Sequence, residues 1–181
     1  MRISTAYEGI LGDYFADNAT DGPCNAYTDR PAMFALAGDV TGLRVRDIGC
    51  GAGRYVTELR ARGAAEVVGV ESGATLLRHA RDRIGDDDAV TLHHHDLEEP
   101  LDFLPDDSFD LVVMALVHHH LEARRQLLAE LHRVLRPGAG SCWSPRSTRP
   151  PTGSGTAAPT STRTVSRRVS GTAAPRTPTA V

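Results

Sequence analysis

Apolar positions fall along this chain in two alternating patterns. Residues 43–48, 66–70, 90–94 and 109–116 form short, largely apolar runs bounded by turn-forming residues, and these predict strands buried on both faces. Between them the spacing changes to three and four. Tyr55, Val56 and Leu59 mark one helix face, Leu76, Leu77, Ala80 and Ile84 a second, and Leu127, Leu128, Leu131, Val134 and Leu135 a third, which runs out at Arg136-Pro137-Gly138. Ahead of the first strand, Tyr7, Ile10, Leu11 and Tyr14 lie at i, i+3, i+4 and i+7 and predict an amphipathic helix. Residues 18–23 read as a loop. Residues 31–36 read as a second helix, with Pro31 in its first turn and Gly38 near its end. These two helices either cover an edge of the sheet or form a lid over a pocket. Alternation of strand and helix predicts an α/β fold with a doubly wound, mostly parallel sheet and helices on both faces.

The turn between the first strand and the helix after it carries Gly49, Gly51 and Gly53. Alternate glycines there let the backbone bend sharply and let a ligand lie against bare main chain. The helix start beyond them offers unpaired N–H groups. This is the geometry of a nucleotide-type pocket. The hydride-cofactor fingerprint is G-x-G-x-x-G, but here the order is G-x-G-x-G and Arg54 stands where its third glycine would be. Asp47, just before Ile48, suits an amine-bearing ligand better than a diphosphate, which a carboxylate repels. Glu71 closes the second strand, where a carboxylate can accept both hydroxyls of a ribose. A nicotinamide-dependent oxidoreductase is therefore the weaker reading of this turn.

Several stretches in order resemble the class I S-adenosylmethionine-dependent methyltransferases, in particular the small-molecule type of many bacteria. They are Asp47-Ile48-Gly49-Cys50-Gly51-Ala52-Gly53, Val68-Gly69-Val70-Glu71-Ser72, His95-Asp96-Leu97, Pro105-Asp106-Asp107-Ser108-Phe109-Asp110-Leu111-Val112, and Glu130-Leu131-His132-Arg133-Val134-Leu135-Arg136-Pro137-Gly138. The resemblance covers about residues 30–140 and implies a Rossmann-like fold, S-adenosyl-L-methionine as cofactor and a small-molecule methyl acceptor. It implies that Gly49, Gly51 and Gly53, with Asp47, line the methionine and ribose portions, and that Glu71, with Ser72 beside it, holds the ribose hydroxyls. It further implies that Asp96 accepts from the adenine amino group with Leu97 against the ring, and that Ala115, Leu116 and His119 face the sulfonium and the acceptor.

Methyl transfer from a sulfonium needs mainly in-line positioning, with a general base only where the acceptor loses a proton. His119 is the first candidate for that base, with Tyr7, Tyr14 and His120 behind it. The histidine runs do not read as a metal site. His93, His94 and His95 alternate across a strand and cannot converge on one ion, while His118, His119 and His120 follow the fourth strand at its ligand-binding end.

Composition changes the picture in one place. Residues 1–140 hold all 23 acidic residues and 14 of the 20 arginines, a net of −9, whereas residues 141–181 hold six arginines and no acid, a net of +6. There is no lysine, which points to a GC-rich gene. Three cysteines without metal-ligand spacing suit a reducing cytoplasm. No apolar run approaches about 20 residues, so neither a membrane span nor a signal peptide is expected. Neither membrane nor nucleic acid is an expected partner.

The chain thus divides into a helical cap or lid at 1–40, a cofactor-binding core at 41–140, and a Ser/Thr/Pro/Arg-rich stretch at 141–181 that is expected to stay disordered. A fifth strand should follow Arg136-Pro137-Gly138, yet Ser141-Cys142-Trp143-Ser144-Pro145-Arg146 departs from that pattern. Shifting the reading frame back by one base turns Cys142-Trp143 into leucine and the two preceding codons into apolar residues. The tail is therefore read as a frameshift product, and the alternative is a basic arm for an acidic partner or nucleic acid. On the frameshift reading the fourth strand is left as an unpaired apolar edge, and the chain could be a non-catalytic remnant that at most binds the cofactor. Resequencing is expected to find one base lost or gained near codon 140, and an intact single frame there would remove the frameshift.

Overall fold

The computed structural model of the chain describes residues 7–19, 22 and 25–144. Residues 1–6, residues 20, 21 and 23 of the predicted loop, residue 24, and 145–181 of the predicted tail lie outside the described residues. The middle layer is a wholly parallel sheet of five strands in the order β3-β2-β1-β4-β5. Its strands are β1 (Arg44–Ile48), β2 (Glu66–Glu71), β3 (Val90–His94), β4 (Phe109–Ala115) and β5 (Leu135–Ser144). The first four occupy the runs predicted from apolar composition. β1, β2 and β4 are buried along almost their whole length, as their near-continuous apolar sequences require, while β3 at the sheet edge is half-exposed and carries Thr91, His93 and His94.

The helices α2 (Arg30–Ala37), α3 (Arg54–Ala61) and α4 (Ala74–Ile84) supply one outer layer. Met33, Phe34, Val56, Leu59 and Leu77 form one core with Val45, Val67, Leu111 and Val113 of the strands. On the opposite face α5 (Arg124–Val134) sets Leu127, Leu131 and Val134 against Ile48, Val68, Val112 and Met114, and Leu97, Leu101 and Leu104 of the β3–β4 connection fill the same core. Chain order places β2 and β3 on one side of β1 and β4 on the other. The carboxyl ends of β1 and β4 therefore form the switch point at which open α/β sheets make a crevice.

Two regions depart from the sequence reading. The short helix α1 (Gly9–Tyr14) forms, but its expected apolar face does not pack: Ile10 is 89%, Leu11 54% and Tyr14 61% exposed. Gly12 and Ala16 are buried instead, because Gly12 approaches Thr75 so closely that a Cβ would lie 2.9 Å from its methyl. Ala16, with Tyr7 and Phe15, packs against Ala52 and Leu76, and polar anchors hold the rest of the segment. The Glu8 carboxylate accepts from the N–H groups of Ala74 and Thr75 at the start of α4, and Asp13 pairs with Arg78 and His79 at 2.7 Å each. Apolar periodicity cannot register such anchors. Residues 15–19 continue α1 as a π-helical turn, so the expected loop begins later than residue 18.

The second departure is β5. The fourth strand is not an open edge, because Leu111 to Ala115 pair in parallel with Gly140 to Ser144. Ladder pairing uses main-chain N–H and C=O groups, which 140–144 supply whatever their side chains. The predicted tail boundary at 140 therefore falls inside a strand. Arg136-Pro137-Gly138 forms a bulge between the Phe109–Leu135 and Leu111–Gly140 pairs, with Arg136 on the carboxylate of Asp110.

Inside β1 the apolar pattern hides a charge. Arg46 is 0% exposed, and its guanidinium lies over the Phe109 ring at 4.4 Å. Its three side-chain nitrogens have no hydrogen-bond partner among the described residues. Burial, and then the like charge of Arg44, lower its pKa from the ordinary arginine value to about 9. A cation–π contact recovers only part of such a desolvation cost. Arg46→Met is expected to raise the free energy of unfolding by ~1–4 kcal/mol in urea titrations at neutral pH. From about 9 up to the ordinary arginine value the unfolded chain holds the proton that the folded chain has lost, so stability rises with pH across that window. The variant should abolish that rise, and lower stability in Arg46→Met would contradict the assignment.

Candidate functional site

Four strand ends converge on one cleft of about 400 Å³, within the range of small-ligand sites. After β1 the chain turns at once. The Gly49 and Cys50 N–H groups both donate to the Val70 carbonyl, at 2.8 and 3.0 Å, and Gly53 caps α3 at φ +78°. Gly49 sits at φ +70°, and a Cβ there would lie 2.2 Å from Val117 of the segment after β4. Gly51, at φ +53°, lines the cleft with nothing within 4 Å of where its Cβ would be. Its bare face is open to a ligand.

The wall opposite the turn is Glu71 at the end of β2, only 8% exposed. One carboxylate oxygen accepts from Gly51 N at 2.9 Å and the other from Gly73 N at 2.7 Å. Burial pushes its pKa up against the opposing pull of these N–H groups. Ser72 also hydrogen-bonds this carboxylate, which lines the cleft as an acceptor wall. His94 on β3 fixes the same turn by contacting the Ser72 carbonyl at 2.9 Å. After β3, Asp96 takes the Glu98 N–H on one oxygen at 3.1 Å, with Leu97 buried beside it in the cleft wall.

Of the residues expected from the sequence, Gly49, Gly51, Glu71, Ser72, Asp96, Leu97, Ala115 and Leu116 line the cleft, while Asp47, Gly53 and His119 do not. Asp47 is buried behind the turn at 1% exposure, with no hydrogen-bond partner for Oδ2 among the described residues. Burial, then the neighbouring Glu71, push its pKa up to about 7. Gly53 faces α4: a Cβ on it would sit 3.1 Å from that of Ala80, so it serves close helix packing. Residues His118–His120 form a single 3₁₀ turn, whose three residues splay in three directions. His120 reaches the cleft, and His119 lies beside it with ring centroids 3.8 Å apart. Tyr7 also lines the cleft, edge-on to His120 at 6.3 Å, whereas Tyr14 faces solvent. The strand histidines alternate as expected, with His93 and His95 both against Phe103 and His94 turned the other way.

Of the remaining walls the sequence marked only Tyr7, as a candidate base, and the N-terminal segments as a possible lid. Tyr7, Phe15, Asn25, Asp29 and Arg30 come from the N-terminal segments, and Tyr55 of α3 is held by Asp29 at 2.9 Å. Leu116 adopts φ +59° at the mouth of β4. Such conformations cluster at binding sites, but no sequence signal marks them. Among the described residues no group of three His, Cys, Asp or Glu gathers where an ion could sit, and no helix is long and apolar enough to cross a membrane.

The methyltransferase-domain family matches residues 46–142, more than half of the chain, and the chain belongs to it as a class I S-adenosylmethionine-dependent methyltransferase domain. Demethylmenaquinone methyltransferase of Clavibacter sepedonicus is 31% identical over 138 residues, 76% of this chain and 55% of that protein. The 27-O-demethylrifamycin SV methyltransferase of Amycolatopsis mediterranei is 36% identical over 117 residues, 61% of this chain and 40% of its own. The crystal structure of an S-adenosylmethionine dependent methyltransferase from Mesorhizobium loti superposes with a TM-score of 0.59 at 32% identity, covering 71% of this chain and 54% of that one. The chain thus spans about half the length of the relatives it matches.

S-adenosylmethionine is the cofactor of the family, and the residues present suit it. Gly51 leaves open space, Glu71 and Asp96 supply acceptors, and the buried carboxyl groups of Glu71 in the cleft wall and Asp47 behind the turn favour a cation over a diphosphate. Asp47 generates a prediction. Its folded-state pKa of about 7 exceeds the ordinary 3.8, so the folded chain keeps a proton that the unfolded chain loses, and stability falls as pH rises between those values. Asp47→Asn should remove that fall and raise stability at neutral pH by on the order of 1 kcal/mol or more. A variant with an unchanged pH profile would contradict the assignment.

Proposed function

We propose that this chain binds S-adenosylmethionine in the cleft and transfers its methyl group to a small-molecule acceptor. The observation that carries the reading is Glu71, whose two oxygens are already oriented by Gly51 N and Gly73 N beside an open glycine face. Glu71 receives the ribose hydroxyls, Asp96 the adenine amino group, and Leu97 the ring face. Asp47, buried behind the turn, gives up its proton more readily once a cationic amino-acid portion lies near it. Bound there, the cofactor supplies a methyl group on a sulfonium, already activated for displacement.

What remains for the protein is to hold the acceptor in line and to exclude water, and positioning of this kind is worth up to ~7–11 kcal/mol. Tyr7, Phe15, Val117 and Leu121 wall the acceptor end, and the N-terminal segments act as its lid. The names of the two relatives, which refer to demethylmenaquinone and 27-O-demethylrifamycin SV, favour a small acceptor over a macromolecule. Where the acceptor must lose a proton, His120 is the base that can reach it, with His119 packed behind.

Calorimetric titration of the full chain is expected to give micromolar binding of S-adenosylhomocysteine and none of NAD. Methyl transfer, assayed separately, distinguishes an enzyme from a chain that only binds. Binding of NAD without S-adenosylhomocysteine would overturn the reading.

A further inference from the structure

The helix α5 begins unfavourably. Its N-cap is Ala123, which has no capping side chain, and its first turn opens with Arg124 and Arg125 and holds no acid. Two cations at the positive end of a helix oppose its dipole. The missing acceptor comes from a distant part of the chain. Glu98, in the connection after β3, accepts from Glu122 N on one carboxylate oxygen at 2.7 Å and from Ala123 N on the other at 2.8 Å. Charge-assisted bonds of this type are among the stronger ones available to a main-chain N–H.

The main chain of the same residue is held from the other side, because Glu98 N donates to Asp96 Oδ1 at 3.1 Å. One residue therefore joins two ends of the cleft. On one side stand Asp96 and Leu97. On the other, residues 122 and 123 directly follow the His118–His120 turn, which is closed by His120 N donating to Val117 O at 2.9 Å. Leu97 and Leu121, 6% and 7% exposed, belong to the same core and both line the cleft, so the two sides are also in apolar register.

We propose that Glu98 is a positioning residue, through which occupancy of the Asp96 and Leu97 end of the cleft fixes the His118–His120 turn at the other end. This rests on the reading of that end as the adenine site. Glu98 also lines the cleft, but both of its carboxylate oxygens are taken by the N–H groups of Glu122 and Ala123. It makes the place of the imidazole depend on whether the cofactor is present, so that a competent acceptor site is assembled on a loaded cleft.

Hydrogen exchange on the full chain, with and without S-adenosylhomocysteine, tests this in the native protein, in Glu98→Gln and in Glu98→Gln combined with Ala123→Asp. In the native protein the ligand should slow exchange about tenfold both at 49–53 with 71–73 and at 118–123. In Glu98→Gln protection should persist at the glycine turn and vanish at 118–123. Ala123→Asp gives α5 a cap of its own and should restore thermal stability without restoring ligand-dependent protection at 118–123.

If protection at 118–123 returns with Ala123→Asp, Glu98 is a helix cap only and the proposal fails. It also fails if Glu98→Gln keeps full protection there, or loses it at both regions together. Binding to the native chain with no protection at 118–123 would overturn the coupling and leave the cofactor reading intact. No binding to the native chain would remove both.

Discussion

A single carboxylate joins the two turns on which this molecule is built. Glu71 ends β2, and its oxygens are taken by the N–H of Gly51, after β1, and of Gly73, at the start of α4. The parallel register that sets Ile48 beside Val70 brings those turns within reach, and the Val70 carbonyl fixes Gly49 and Cys50 from the main-chain side. A rigid glycine turn with an acceptor wall facing it follows from these few bonds. The cleft then needs only the β3 and β4 ends to close around it. Burying this carboxylate beside Asp47 is unfavourable for the empty protein, since both pKa values rise, and a positively charged ligand would offset part of that cost.

The core of the fold was legible because its signals are local. Alternating apolar runs and three-four spacing located β1 to β4 and α3 to α5, and the G-x-G-x-G turn with an acid at the end of the next strand located the cleft. What was not legible depends on contacts between distant residues. Ile10, Leu11 and Tyr14 have helical spacing yet face solvent, because α1 is anchored through Glu8 and Asp13. Asp47, Gly53 and His119 belong to the right motifs but point to the sheet interior, to α4 and to a neighbouring imidazole, choices that strand alternation and a three-residue turn make and a motif does not record. Glu98 carries no local mark at all, since its partners lie 24 and 25 residues away.

The fifth strand shows a limit of another kind. Side-chain composition argued against a strand beyond residue 140, yet main-chain pairing alone carries β5 to Ser144, and the family match ends at Cys142. The family match thus ends within the stretch of β5 where the acid-free, arginine-bearing composition begins. The same separation of backbone from side chain explains Arg46, a charged residue in a strand whose ladder bonds are indifferent to it.

On the function proposed above, the nucleoside part of the ligand lies against the Glu71 carboxylate, which Gly51 N and Gly73 N orient. A crystal structure of the full chain grown with S-adenosylhomocysteine is the sharpest test. Both ribose hydroxyls should donate to Glu71 while Gly51 N and Gly73 N keep their bonds to it, with the adenine amino group on Asp96. A ribose held elsewhere, or a Glu71 turned away from a bound nucleoside, would contradict it.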